Sequence, residues 1–207
     1  MVQYVKISLA VVLASLFCVL YVDQAMTAFF MPDELYYFRR VSRYLTDVGE
    51  GGLWFAVSLV AISYGYRQRL EKWRVFGLQF LFSLIVSGLF LQLMKFLIGR
   101  QRPHVSDDYH PHMFYNFNTN PHFHSMPSGH SQVLFTAAVN FALLFPRQAK
   151  WIYAAAFFFA MTRVFTTQHF FSDVLMGCLV GYLGATFTLY LMARRQKGLE
   201  KSSHLSD

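Results

Sequence analysis

The sequence predicts an all-α polytopic membrane protein with six transmembrane helices. Three observations carry this expectation. Of the 207 residues, 55% are hydrophobic and only 14% are charged, against roughly 25% charged in a soluble domain. The mean hydropathy is +0.34. The apolar residues fall into six runs separated by charged or proline-bearing breaks, and a helix needs about 20 mostly apolar residues to cross the hydrocarbon. Composition of this kind excludes a disordered chain or a nucleic-acid-binding tail.

The first run, Val5 to Val22, stops at Asp23 and Gln24. With Lys6 ahead of it, a signal peptide has the same outline; no small-x-small cleavage site follows, however, and more apolar runs do, so a span is expected. The second run, about Leu53 to Tyr66, starts near Val48, and Gly49, Gly51 and Gly52 blur its beginning. The third, Val75 to Met94, is 20 residues without a charge. The fourth, about Ser131 to Phe145, is stopped by Pro146. The fifth runs from Trp151 to about Phe165 with Arg163 near its end, and the sixth from Val174 to Ala193, closed by Arg194 and Arg195. Residues 1–196 are therefore expected to form one transmembrane domain, with 197–207 a polar, frayed cytoplasmic tail. Cys18 and Cys178 lie inside apolar runs and are expected to be small buried side chains without a disulfide.

The formal charge of +7 can be mapped onto these runs. If six spans alternate, Lys6, Arg67, Arg69, Lys72, Arg74, Arg147, Lys150, Arg194, Arg195, Lys197 and Lys201 fall on one side. They are 11 of the 18 basic residues. The positive-inside rule makes that side cytoplasmic, with both termini there. Arg39, Arg40, Arg43, Lys95, Arg100, Arg102 and Arg163 fall on the opposite face. The first three share a loop with Asp33, Glu34, Asp47 and Glu50 and are expected to be solvated or paired. The last four flank apolar spans directly.

Three segments on that face hold residue types suited to an anion. In the first, Lys95 and Arg102 are seven apart, about two helical turns, so they can share a face, and Pro103 is expected to end the helix. Lysine offers a point charge and arginine a bidentate fork. Alone, Lys95 equally fits a lysine that snorkels from a span end. In the second, Pro127-Ser128-Gly129-His130, serine can cap a helix and glycine lets an anion approach backbone N–H groups at the positive end of the dipole. His130 can give or take a proton near neutral pH. An ordinary capped helix with an incidental histidine has the same outline. In the third, Thr162-Arg163 is followed by His169 and Asp173. If the sixth helix begins near His169, the pair lies on one face; the carboxylate then fixes one ring nitrogen and leaves the other as a nucleophile. An interfacial histidine beside a helix-start aspartate shares that pattern.

Together these segments resemble, in order and spacing, the signature of the type-2 phosphatidic-acid phosphatase superfamily: Lys-x6-Arg-Pro, then Pro-Ser-Gly-His, then Ser-Arg-x5-His-x3-Asp. The resemblance covers Lys95 to Asp173, with Thr162 where the family usually has serine; threonine keeps the hydroxyl. The six runs resemble the family's bacterial membrane-embedded branch. The resemblance implies that His169 attacks phosphorus and becomes a phosphohistidine, Asp173 orients it, and His130 protonates the leaving oxygen. Lys95, Arg102, Ser128, the Gly129 N–H and Arg163 would hold the phosphoryl oxygens. No metal and no cofactor are expected.

The implied activity is hydrolysis of a phosphate monoester or diphosphate on a membrane lipid: phosphatidylglycerol phosphate, undecaprenyl diphosphate, phosphatidic acid or lipid A. Expected partners are that lipid and the bilayer, with no nucleic acid and no protein partner. The expected location is the inner (plasma) membrane, multi-pass, with the site facing the periplasm or exterior. A lipid phosphotransferase using the same phosphohistidine is the alternative. A transporter is a third reading, disfavoured because the charges cluster at one face rather than mid-span. Arg100 has three readings, a second phosphate, a lipid headgroup or water, and water is the simplest. The segment from His104 to Met126 carries five histidines, His104, His110, His112, His122 and His124, but no Cys or helical His pair that would support a metal. Its aromatics Tyr109, Phe114, Tyr115, Phe117 and Phe123 suit a membrane interface, and it is expected to shape the entrance to the site.

Overall fold

The structure, a computed structural model, describes residues 2–105 and 110–203. Among these residues there are eight α-helices: α1 (Val2–Tyr21), α2 (Asp23–Phe30), α3 (Tyr36–Thr46), α4 (Gly51–Arg67), α5 (Glu71–Ile98), α6 (Gly129–Leu144), α7 (Ala149–Phe165) and α8 (Phe171–Ser203). The six apolar runs each become a helix, namely α1, α4, α5, α6, α7 and α8. Four described segments, Tyr4–Tyr21, Asp33–Arg67, Glu71–Ile98 and Phe171–Arg195, are long and apolar enough to cross a membrane. Helices α6 and α7, of 16 and 17 residues, are shorter than a full crossing of about 20.

Three expectations about element boundaries are corrected. The N-terminal loop holding Arg39, Arg40 and Arg43 is mostly helix, α2 and α3. The long helix α5 stops at Ile98, four residues before Arg102, because Gly99 takes a left-handed conformation with φ 58°. A side chain there would place Cβ 1.9 Å from the Tyr115 carbonyl oxygen, so glycine is required; Pro103 is not the stop. The sixth run does not end as a helix at Arg194 and Arg195, and α8 continues through the polar tail to Ser203. Tyr109 and residues 204–207 lie outside the described residues.

The bundle is organised around α8, which packs against α1, α2, α5, α6 and α7. Small residues permit the close approach that membrane helices use in place of a hydrophobic driving force. One core layer joins α6, α7 and α8 through Leu134, Ala138, Ala156, Ala160, Val164, Val174 and Cys178. A second joins α4, α5 and α6 through Ala61, Phe76, Phe80, Leu84, Val133 and Ala137. Cys18 and Cys178 are buried and unbonded. Side-chain hydrogen bonds cross the bundle: Gln132 Nε2 donates to Ser87 Oγ at 2.6 Å, Ser87 and Thr136 share a bond at 3.0 Å, and Gln79 Nε2 donates to Asn140 Oδ1 at 3.2 Å.

The contact between α6 and α8 is backbone to backbone. A Cβ on Gly177 would lie 2.4 Å from the Ser128 carbonyl oxygen, and one on Gly181 would lie 2.2 Å from that of Gln132. Gly181→Ala is therefore expected to cost about 1–3 kcal/mol through overpacking, read as a lower melting temperature in detergent. Gly88→Ala on α5, where nothing lies within 4 Å of the new Cβ, should raise stability by up to about 1 kcal/mol, because alanine is the better helix former. Equal melting temperatures for the two variants would contradict this packing.

Candidate active site

The segment after α5 is held extended between two returning passes. Gln101 N–H donates to Met113 O and Tyr115 N–H to Gly99 O on one side; Arg102 N–H donates to His122 O and Ser125 N–H to Arg100 O on the other. In an extended segment residues two apart share a face, so Arg100 and Arg102 project the same way. The two arginines then serve different purposes. Arg100 is fully buried. Its Nη1 donates to Asp173 Oδ1 at 2.6 Å and to Ser172 Oγ at 2.6 Å, its Nη2 to Asp23 Oδ2 at 2.8 Å, and its Nε to Pro111 O at 3.0 Å. The guanidinium also stacks 4.2 Å from the Phe170 ring. The expectation that Arg100 faces water is thus overturned. Asp23, which read only as the end of a span, closes the network by accepting from the Ser172 N–H and hydroxyl.

Asp173 lies in the first turn of α8, while His169 sits two residues before that helix begins. The pair is therefore not on one helix face, as the four-residue spacing predicts; the chain turns at Phe170. Asp173 Oδ2 accepts from the Phe170 N–H at 2.9 Å and from the Ser125 hydroxyl. It faces His169 Nδ1 at 3.7 Å, an ion-pair distance rather than a good hydrogen bond. Ser125 Oγ lies 3.5 Å from the same nitrogen. Nδ1 thus points at the carboxylate, and Nε2 is the nitrogen left to react. Burial holds His169 well below the ordinary histidine range; Asp173 opposes this, while Arg163, Arg102 and Lys95 add to it. The imidazole is neutral near pH 7, the form a nucleophile needs.

The cations converge on this histidine. Lys95, in the last turn of α5, is 6% exposed and donates to His124 O at 2.6 Å. Arg102 lies outside the helix, so the two do not share a helical face, yet both charges bear on His169 and on His130. Arg163, near the end of α7, is 9% exposed. Its Nη1 donates to Thr46 Oγ1 at 3.2 Å; Thr162 Oγ1 shares a hydrogen bond with the same oxygen at 3.0 Å and donates to Phe159 O at 2.6 Å. The threonine hydroxyl thus helps seat the arginine through Thr46. Arg163 Nε is buried with no hydrogen-bond partner among the described residues, a costly state for a charged donor.

Ser128 occupies the N-cap position of α6, but its side chain makes no capping bond; it accepts from Ser131 Oγ at 3.0 Å. Its N–H donates to Asp173 O at 2.9 Å, which ties the start of α6 to the start of α8. The first turn of α6 leaves the N–H groups of Gly129 and His130 without intrahelical partners. His130 packs against Gly49, where an added Cβ would meet its ring at 2.9 Å. All eight predicted site residues therefore gather at one end of the bundle. Ser125, Thr46, Gly49, Asp23 and the role of Arg100 do not stand out in the sequence. Each works across a large sequence separation, and only the burial-prone aspartate at the end of an apolar run gave a signal.

A buried histidine that feels the charges of Lys95, Arg102 and Arg163, close to the start of α6 and at one end of an apolar helical bundle, is an arrangement suited to an anion in a membrane protein. A family model described as the PAP2 superfamily matches residues 76–197, more than half of the chain, and the chain belongs to that superfamily. It is 38% identical over 118 residues to a lipid A 1-phosphatase of Rhizobium johnstonii, covering 57% of this chain and 48% of the relative. It is 40% identical over 116 residues to a lipid A 1-phosphatase of Rhizobium etli, covering 56% and 50%. The chain spans about half the length of these relatives. Its fold is similar to that of the first transmembrane PAP2-type phosphatidylglycerolphosphate phosphatase from Bacillus subtilis, with a TM-score of 0.61 at 16% identity over 94% of this chain and 98% of that one. Aquifex aeolicus LpxE matches with a TM-score of 0.55 at 18% identity, over 74% and 86%.

Proposed function

We propose that this protein is a membrane-embedded lipid phosphatase that works through a phosphohistidine at His169. The observation that carries the reading is the buried, unpartnered Arg163 Nε beside Lys95 and Arg102, a gap in hydrogen bonding that a phosphoryl oxygen fits. Three cations match the charge that spreads over the oxygens during phosphoryl transfer. In the first step His169 Nε2 forms a bond to phosphorus as the bond to the leaving oxygen breaks, and His130, entering the step as the imidazolium beside the bound phosphate dianion, gives that oxygen its proton. In the second, water attacks phosphorus, the N–P bond breaks, and the proton of the water goes to His130. Ser128 and the Gly129 N–H hold phosphoryl oxygens, and Asp173 keeps Nδ1 of His169 fixed throughout.

The names of the curated relatives favour a lipid A-type phosphate as substrate, ahead of phosphatidylglycerol phosphate, undecaprenyl diphosphate and phosphatidic acid. With α1, α4, α5, α6, α7 and α8 read as six spans, the bias of basic residues supports termini in the cytoplasm and a site on the opposite surface of the inner membrane. The test is phosphate release by purified protein from each of these lipids in mixed micelles, with EDTA present. Release is expected to persist in EDTA; loss with rescue by a divalent ion would contradict the metal-free chemistry. A labelled phosphate appearing on a second lipid instead of in solution would favour transfer over hydrolysis.

His130→Ala tests the proton role separately. General acid catalysis contributes typically about 10²–10⁴-fold, and a loss in that range is expected with a lipid whose leaving group is an alkoxide. With p-nitrophenyl phosphate, whose leaving group needs no proton, the loss should be much smaller. Equal losses on both substrates would remove His130 from that role.

A further inference from the structure

Helix α3 carries a surface that this chemistry does not use. Its buried edge, Ser42 and Thr46, belongs to the face packed on α7. At about 100° per residue, the remaining side chains divide into two further faces. Arg39, Arg43, Tyr36 and Arg40 fall within an arc of about 100°. Tyr44, Tyr37, Val41, Leu45 and Phe38 fall within the next arc, of about 120°, and Tyr37 and Tyr44 are 77% and 68% exposed. A short helix with an aromatic and aliphatic face beside a basic one matches the physics of a helix lying in the headgroup boundary, apolar side down.

The basic arc is not neutralised from within. Arg39 is occupied: its Nη1 donates to the carbonyls of Phe30, Met31 and Pro32, and its Nη2 lies 3.8 Å from Asp33. Arg40 and Arg43 are exposed. Neither has a hydrogen bond or ion pair among the described residues, although Asp33, Glu34, Asp47 and Glu50 stand at the two ends of the helix. The arc is also close to the site. Arg43 is about one helical turn, roughly 5 Å, from Thr46, the residue that takes the Arg163 hydrogen bond.

We propose that Arg40 and Arg43 of α3 hold the phosphate-bearing headgroup of an anionic bilayer phospholipid beside the active site. A headgroup there fixes the helix whose last residue seats Arg163, so anionic lipid raises kcat/KM. This inference rests on the lipid-phosphatase reading for the placement of the site at a bilayer surface, and its test keeps the two apart.

The full chain is placed in nanodiscs of phosphatidylcholine, alone or mixed with phosphatidylglycerol. Retained phosphatidylglycerol is measured by native mass spectrometry in the His169→Ala background, and phosphate release from one phosphorylated lipid is measured in the active background. Phosphatidylglycerol is expected to raise kcat/KM of the unaltered chain. Arg40→Gln with Arg43→Gln should abolish that rise and weaken phosphatidylglycerol retention by about fivefold for each arginine removed. Activity in pure phosphatidylcholine should stay unchanged. Equal retention and equal activation in both chains would overturn the proposal. So would a loss of activity in both kinds of disc, which would put the arginines on the substrate's own headgroup or in the fold. Arginine-dependent retention without phosphate release in any disc would support the headgroup site and sink the phosphatase reading alone.

Discussion

His169→Ala is expected to lower phosphate release by on the order of 10⁴-fold or more, since removing a covalent nucleophile disables every group arranged around it. The substitution should leave the bundle folded. Among the described residues the side chain makes only the long polar approaches to Asp173 at 3.7 Å and Ser125 at 3.5 Å, and Asp173 keeps Arg100, Ser125 and the Phe170 N–H. Melting temperature in detergent is therefore the control. A rapidly quenched reaction with labelled substrate should leave an acid-labile phosphoryl group on the unaltered protein and none on the variant. Phosphate release at the unaltered rate, or label retained on the variant, would remove His169 from the mechanism.

The second large effect belongs to Arg100. It is fully buried between Asp23 and Asp173. Arg100→Met leaves two buried carboxylates without their counter-charge, and breaking a buried pair in this way costs about 3–5 kcal/mol. A large fall in melting temperature is expected, together with loss of activity, because Asp173 then has no fixed position from which to hold His169. Arg100→Lys should recover only part of the stability: the charge returns, but one ammonium cannot reproduce a fork that reaches both carboxylates and Ser172. A melting temperature for Arg100→Met equal to that of the unaltered chain would refute this account of the network.

Much of this architecture is legible in the chain because it is periodic or local. Six apolar runs mark six helices, and the residues that match the family signature, Lys95, Arg102, His130, Arg163, His169 and Asp173, come to one end of the bundle. What stays hidden is long-range or mixed in pattern. Arg100 meets partners 73 and 77 positions away, and nothing near it in sequence tells a buried arginine from a solvated one. Helix α3 escapes a search for apolar runs because it is apolar on one face only; Arg39, Arg40 and Arg43 look like a charged loop until they are placed at helical angles. Gly99 rather than Pro103 ends α5 because the returning pass at Tyr115 leaves room for no side chain there. The four-residue step from His169 to Asp173 describes a turn followed by a helix start, since α8 begins only at Phe171.

The direct backbone contact at Gly177 and Gly181 has a consequence for how the protein tolerates its surroundings. His130 stands at the start of α6 and His169 just before the start of α8, and these helices touch without side chains between them. The spacing between the two histidines is set by two helix axes locked together. Helices mismatched to the bilayer thickness adapt by tilting, and in this bundle α1 and α4 lie outside that locked pair. Thinner or thicker membranes are therefore expected to change how lipid arrives while the distance between the two histidines stays constant.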